Sequence, residues 1–161
     1  MKNIFLTALA ALALTTSCKK SDDAAAAVPT MQLSGNLSPA NEVPAVTTAP
    51  NAKGTITGTY TPSTKVLNYT ITFSGLTDKP SGAHLHYGDA KHKGSVWLPF
   101  TNLPTATSGT ITGSATLTTL TSATAPTVTS QSDSLLLGHV YANIHTNNNP
   151  GGEIRATVVV K

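Results

Sequence analysis

Charged residues are scarce in this chain: 11% of 161, ten Lys and Arg against seven Asp and Glu, for a net charge of +3. The basic residues are scattered and never interleave with aromatics, so the footprint of a nucleic-acid binder is missing. Cysteine occurs once, as Cys18, which excludes an internal disulfide. No Ser/His/Asp grouping with a recognisable spacing occurs, and Asp89 and Asp133 fall in unrelated segments. A carboxylate pair for glycoside chemistry is missing as well. These absences point away from an enzyme, metal-dependent redox activity being the residual alternative. A sustained helical period is also lacking, which leaves an all-β chain of single-domain length.

What is present begins with an export signal. Met1-Lys2-Asn3 is a short positive start, and Ile4–Leu14 is apolar or small throughout except for Thr7. That run is too short to span a bilayer but suits the core of a secretory signal. Cys18 follows at once, in the place where a bacterial lipobox carries its acylated cysteine, although Thr15 stands where such signals usually have Leu. Residues 1–17 are therefore read as a lipoprotein signal peptide. Residues 18–29 form the lipidated Cys18 and an Asp- and Ala-rich flexible tether, and 30–161 the folded domain. The stretch CKKSDD resembles the surface-export tags of bacterial lipoproteins. The expectation is an exported protein of the outer membrane or cell surface, held by lipid on Cys18, with an extracellular or periplasmic partner.

From about Thr30 the chain is rich in Thr, Val, Ile and Tyr, with turn residues every eight to twelve positions. In TKVLNYTITFS (64–74), Leu67, Tyr69, Ile71 and Phe73 alternate with Asn68, Thr70 and Thr72, as in a half-buried antiparallel strand. The preceding KGTITGTYTPST supplies its hairpin partner. Further strands are expected at Met31–Leu37, Gly82–Tyr87, Ser95–Phe100, Gly109–Thr119, Gly138–His145 and Glu153–Val160. Ser132–Leu137 reads as one short helix capped by Ser132 or Asp133. Seven or eight antiparallel strands with at most one short helix predict a Greek-key β-sandwich.

Two segments carry chemistry. In GAHLHYGDAKHKG (82–94), His84 and His86 flank Leu85; residues i and i+2 of a strand share a face about 6.6 Å apart, so both imidazoles can reach one copper or zinc ion. The alternative is that Leu85 faces the core and both histidines face water. In GHVYANIHTNNNPGGEIR (138–155), His139 and His145 lie about 20 Å apart on an extended strand and cannot share a site. His145, beside the turn, is the candidate third ligand, with His92 or His139 as an additional one. Glu153 and Arg155, on the following strand, are placed on the polar face with Asn143, where a structural charge-assisted network needs no ligand. Trp97, the sole tryptophan, is assigned to core packing. Asp133-Ser134-Leu135 resembles a bacterial O-glycosylation acceptor at Ser134.

The pieces LSPANEVPAV (37–46), TITFSGL, AHLHYG and LLLGHVYANIHTNNNPGGEIRATV, in this order, resemble the CHRD (chordin-type) domain over nearly all of 30–161. The resemblance implies an immunoglobulin-like β-sandwich and assigns no activity. The export signal, the tether and the lack of a catalytic set lead to the expectation of a non-enzymatic binding or structural module, with a copper- or zinc-binding protein as the alternative. The His-x-His on a sandwich strand is also similar to copper/zinc superoxide dismutases. The disulfide cysteines and a full zinc-ligand set are absent, which argues against that activity.

Overall fold

The computed structural model describes residues 28–118 and 130–161. The signal segment, Cys18, most of the tether and most of the Thr/Ser-rich loop after Leu117 lie outside the described residues. Among the described residues nine strands form two antiparallel sheets: β1 (Met31–Leu37), β2 (Lys53–Thr61), β3 (Val66–Ser74), β4 (Pro80–Tyr87), β5 (Val96–Pro99), β6 (Gly109–Thr116), β7 (Val140–Thr146), β8 (Ile154–Thr157) and β9 (Val159–Val160). One sheet has the order β6-β3-β2-β1-β9 and the other β5-β4-β7-β8, so the β-sandwich expected from the sequence is found.

The alternation in the sequence sets the core. Leu67, Ile71 and Phe73 of β3 and Ile56 and Tyr60 of β2 are buried against Leu85 of β4, Val140, Ala142 and Ile144 of β7, and Ile154 and Ala156 of β8. Each large aliphatic side chain so buried contributes about 1.5–3 kcal/mol of transfer free energy. Trp97 joins this core, as expected.

Three details differ from the sequence reading. The segment expected as one last strand, Glu153–Val160, divides at Val158: β8 pairs with β7, and β9 changes sheet to pair with β1. Val160 is accordingly only partly buried, whereas Val158 is fully buried. The helix α1 (Gln131–Leu136) starts earlier than expected, and Ser130, not Ser132 or Asp133, caps it by accepting from the Asp133 amide at 3.1 Å. An extended residue preceding the first turn can aim its hydroxyl at the free amides, which residues inside the turn cannot. Ser134 is completely buried in that helix, so it is not available as a glycosylation acceptor in the folded domain.

The outer face of the β5-β4-β7-β8 sheet is where the sandwich departs from simple wet-outside alternation. After β1 the chain crosses onto this face: Ser38 bridges to Arg155, Asn41 Nδ2 donates to the Arg155 carbonyl at 3.1 Å, and Glu42 is left only 4% exposed. From the other side the loop 88–94 folds over, its Asp89 and His92 carbonyls accepting from Arg155 Nη2 at 2.5 and 2.9 Å. Two loops distant in sequence thus roof a polar sheet face.

Candidate metal centre

Under that roof β4 presents His84 and His86, and β7 presents Tyr141, Asn143 and His145. Leu85 between the two histidines is fully buried on the core side, which fixes both imidazoles on the other face. The register pairs His84 with Asn143 and Gly82 with His145, so His84 and His145 are diagonal neighbours. Gly82 makes their approach possible. A Cβ at Gly82 would lie 3.2 Å from His84 Cε1 and 3.8 Å from His145 Cδ2, in the space the two rings fill. The register to β5 slips between Leu85 and His86, leaving Trp97 without a strand partner, while β4 keeps its regular pairing to β7 through His86.

The three rings converge. Ring centroids of His84 lie 5.3 Å from His86 and 5.1 Å from His145, and one ligating nitrogen from each falls within 4.8 Å of the others. Tetrahedral ligands at ~2 Å from a metal are ~3.3 Å apart, so a small contraction would close this set on one ion.

Hydrogen bonding selects which nitrogens face inward. His86 Nδ1 is 3.0 Å from the Gly94 carbonyl and His145 Nδ1 is 2.9 Å from the Pro150 carbonyl. A carbonyl only accepts, so each Nδ1 carries the proton and each Nε2 keeps its lone pair. His86 Nε2, His145 Nε2 and His84 Nδ1 are buried and have no protein partner. Burial, reinforced by the neighbouring imidazoles His145 and His86, pushes His84 down to about 4. Burial also lowers His86 and His145 against the opposing pull of their carbonyl partners. All three are therefore neutral at pH 7, the form that binds a metal.

The flank of the triad is cationic. The Tyr141 ring stacks on His86 at 4.9 Å and 4°, and the Arg155 guanidinium lies 3.4 Å over the same tyrosine. Lys93 on the roofing loop disfavours protonation of His145. Glu42 is the acid at this face, pushed up to about 7 by burial despite the opposing influence of Arg155 and Lys93. Its Oε1, Asn143 Oδ1, and Arg155 Nε and Nη1 are buried without protein partners.

His84, His86 and His145, expected as ligands, are brought together. His92 and His139 are not: both are exposed, and His92 turns its Nδ1 to Asp89 at 2.9 Å. Neither belongs to the cluster that the described residues form. The expected Asn143–Glu153–Arg155 network also needs correction. Asn143 and Arg155 are cross-strand neighbours, but Glu153 has its own cage, accepting from Thr77 N at 2.7 Å, Thr77 Oγ1 at 2.6 Å, Thr146 Oγ1 at 2.5 Å and Asn149 Nδ2 at 2.8 Å. These groups tie the 147–152 turn to the segment before β4, and a carboxylate facing four donors gains nothing by turning to Arg155. Glu42 and Tyr141 were not singled out as site residues from the sequence; the LSPANEVPAV segment was noticed, but nothing in it told that the carboxyl would be buried.

The segments building this site fall within a family match: the CHRD domain model matches residues 33–158. The chain belongs to the CHRD domain family. No curated protein and no solved structure gives a match. The match takes in the LSPANEVPAV crossing, the His-x-His strand and the NNNPGG turn, so the roofed polar face lies wholly within the CHRD domain. Among the described residues no helix is long and apolar enough to cross a membrane.

Proposed function

We propose that this CHRD domain is a non-enzymatic metal-binding module of the cell envelope, taking one copper or zinc ion on His84, His86 and His145. The observation that carries the reading is the cluster of His84, His86 and His145, which offer one ligating nitrogen each within 4.8 Å of one another and each of which also has a buried ring nitrogen without a hydrogen-bond partner. A buried ring nitrogen without a hydrogen bond is costly, and three such rings in one cluster make a donor set that a metal ion completes. Carbonyls holding the opposite nitrogens of two of the rings are the usual orienting groups of histidine metal sites.

The lipid-anchored form completes this reading. The signal-like 1–17 and the lone Cys18 support attachment of the domain to a membrane through lipid, with residues 18–29 as tether. The role is then to hold or hand over metal at the cell surface or outer membrane, with a partner protein outside the cytoplasm.

Titrating the purified full-length protein with copper and zinc tests the proposal. One equivalent of either ion should bind at micromolar or lower concentration, and His84→Ala and His145→Ala should each weaken it at least tenfold. Absence of binding at micromolar metal in a folded protein refutes it.

A further inference from the structure

The same site discriminates between ions, and the groups around it bear on which one it takes. We infer that the triad is a Cu(I) site: a three-coordinate set of neutral imidazoles flanked by cations that prefers monovalent copper to Cu(II) or Zn(II). The inference rests on the metal-binding reading above and names the ion.

Coordination number comes first. Among the described residues the cluster offers three donors, all neutral imidazoles, and no cysteine or carboxylate joins them. Zn(II) demands four ligands, and Cu(II) favours tetragonal sets of nitrogen and oxygen. Either ion would need water or an anion to complete its shell. The ring nitrogens left without partners are each shielded from solvent, so a fourth ligand would have to displace the protein atoms that cover them. The acids of the neighbourhood are committed elsewhere: Glu153 to Thr77, Thr146 and Asn149, and Asp89 to His92 and the Lys91 amide. Glu42 lies against Gly152 and Asn143, its Oε1 within 2.4 Å of where a Gly152 Cβ would be.

Charge points the same way. The Arg155 guanidinium is stacked through Tyr141 onto His86, and Lys93 is on the His145 side. Each unit of positive charge about 10 Å away disfavours a second charge on the metal by about tenfold at an effective dielectric near 20. A neutral donor set offers no compensating negative charge. A monovalent ion that accepts three ligands resolves both constraints together.

The experiment is a set of competition titrations on the full-length protein: Cu(I) under anaerobic reducing conditions against bicinchoninate, Cu(II) against nitrilotriacetate, and Zn(II) against a chromophoric zinc chelator. Cu(I) should bind at least tenfold more tightly than either divalent ion, and X-ray absorption of the copper form should show three nitrogen neighbours with no fourth. Equal or tighter binding of Zn(II) or Cu(II), or a fourth oxygen ligand, overturns the inference while leaving the metal-binding reading intact. Failure of all three ions to bind overturns both. Lys93→Gln removes one unit of charge from an exposed side chain and should narrow the Cu(I)-to-Cu(II) affinity ratio about tenfold at unchanged thermal midpoint. An unchanged ratio in a folded Lys93→Gln protein removes the electrostatic ground and counts against the inference.

Discussion

Replacing Glu153 with glutamine probes how the turn beside His145 is held. The carboxylate is fully buried and accepts four hydrogen bonds, one on Oε1 from the Thr77 amide and three on Oε2 from Thr77 Oγ1, Thr146 Oγ1 and Asn149 Nδ2. Bonds to a charged acceptor are each worth about 1.5–3 kcal/mol net. In Glu153→Gln the new carboxamide can keep its oxygen on the Thr77 amide, which has no alternative role. Its NH2 then faces the Asn149 amide, donor against donor, while the two hydroxyls can rotate to accept. One bond is lost outright and the charge assistance disappears from the others, so the cost is about 2–4 kcal/mol. For a domain of this size each kcal/mol lowers the melting midpoint by about 3–4 °C, giving a fall of about 6–16 °C. Burial pushes the Glu153 carboxyl up, but the bonds from Thr146, Thr77 and Asn149 outweigh it and hold it below its ordinary 4.5. The stabilisation is therefore complete above the ordinary carboxylate range and lost as pH falls through the depressed folded value, so wild type and variant should converge in acid. Urea unfolding followed by the fluorescence of buried Trp97, at pH 7 and again at successively lower pH, reads all of this. A loss under about 0.5 kcal/mol at pH 7, or a gap that persists in acid, would refute the reasoning.

Glu42 should behave in the opposite sense: its carboxyl stands at about 7 in the fold, so it favours folding below its ordinary range and stability declines as pH rises through 7. Glu42→Gln should remove that decline and gain about 1–3 kcal/mol at pH 8, measured by chemical denaturation. Gly152 has φ +118°, and a Cβ there would fall 2.4 Å from Glu42 Oε1 and 2.9 Å from Asn143 Nδ2, whereas Gly151 has nothing within 4 Å. Gly152→Ala should cost about 2–4 kcal/mol and Gly151→Ala under about 1 kcal/mol, a contrast that thermal melts of the pair resolve. His92→Ala and His139→Ala should leave metal affinity within about twofold of wild type in the titrations where His84→Ala weakens it at least tenfold, since both rings are outside the triad.

The alternation of Leu67, Tyr69, Ile71 and Phe73 announced a sandwich strand, and the i, i+2 spacing of His84 and His86 announced two rings on one face, because both depend only on strand periodicity. His145 could be chosen over His139 by strand length and its place beside the NNNPGG turn. The change of sheet at Val158 was hidden because buried residues keep alternating through it. What made the histidines a closed site was equally hidden. The Gly94 and Pro150 carbonyls, the crossing that buries Glu42 and the Arg155 tie to loop 88–94 are meetings of segments far apart in sequence. No local pattern encodes such meetings. For the same reason His92, close in sequence to the pair, had to be considered a ligand until the loop path showed its ring turned to Asp89.

The exchange of hydrogen bonds between Gln32 and Lys161, at 2.7 and 2.9 Å, fixes more than the last strand. It places the start of β1, where the chain emerges from residues 1–30, at the same pole of the sandwich as the final residue. Strand directions then put the other end of β1, the Ser38–Arg155 bridge and the 147–152 turn at the opposite pole. A seven-residue β1 spans about 24 Å between these poles. A domain held through its N-terminal side would therefore point the turn that carries Pro150 and shelters His145 away from whatever holds it. Any exchange of cargo at that turn would be with the milieu beyond the anchor, and both Met31 and Lys161 would be clear of it.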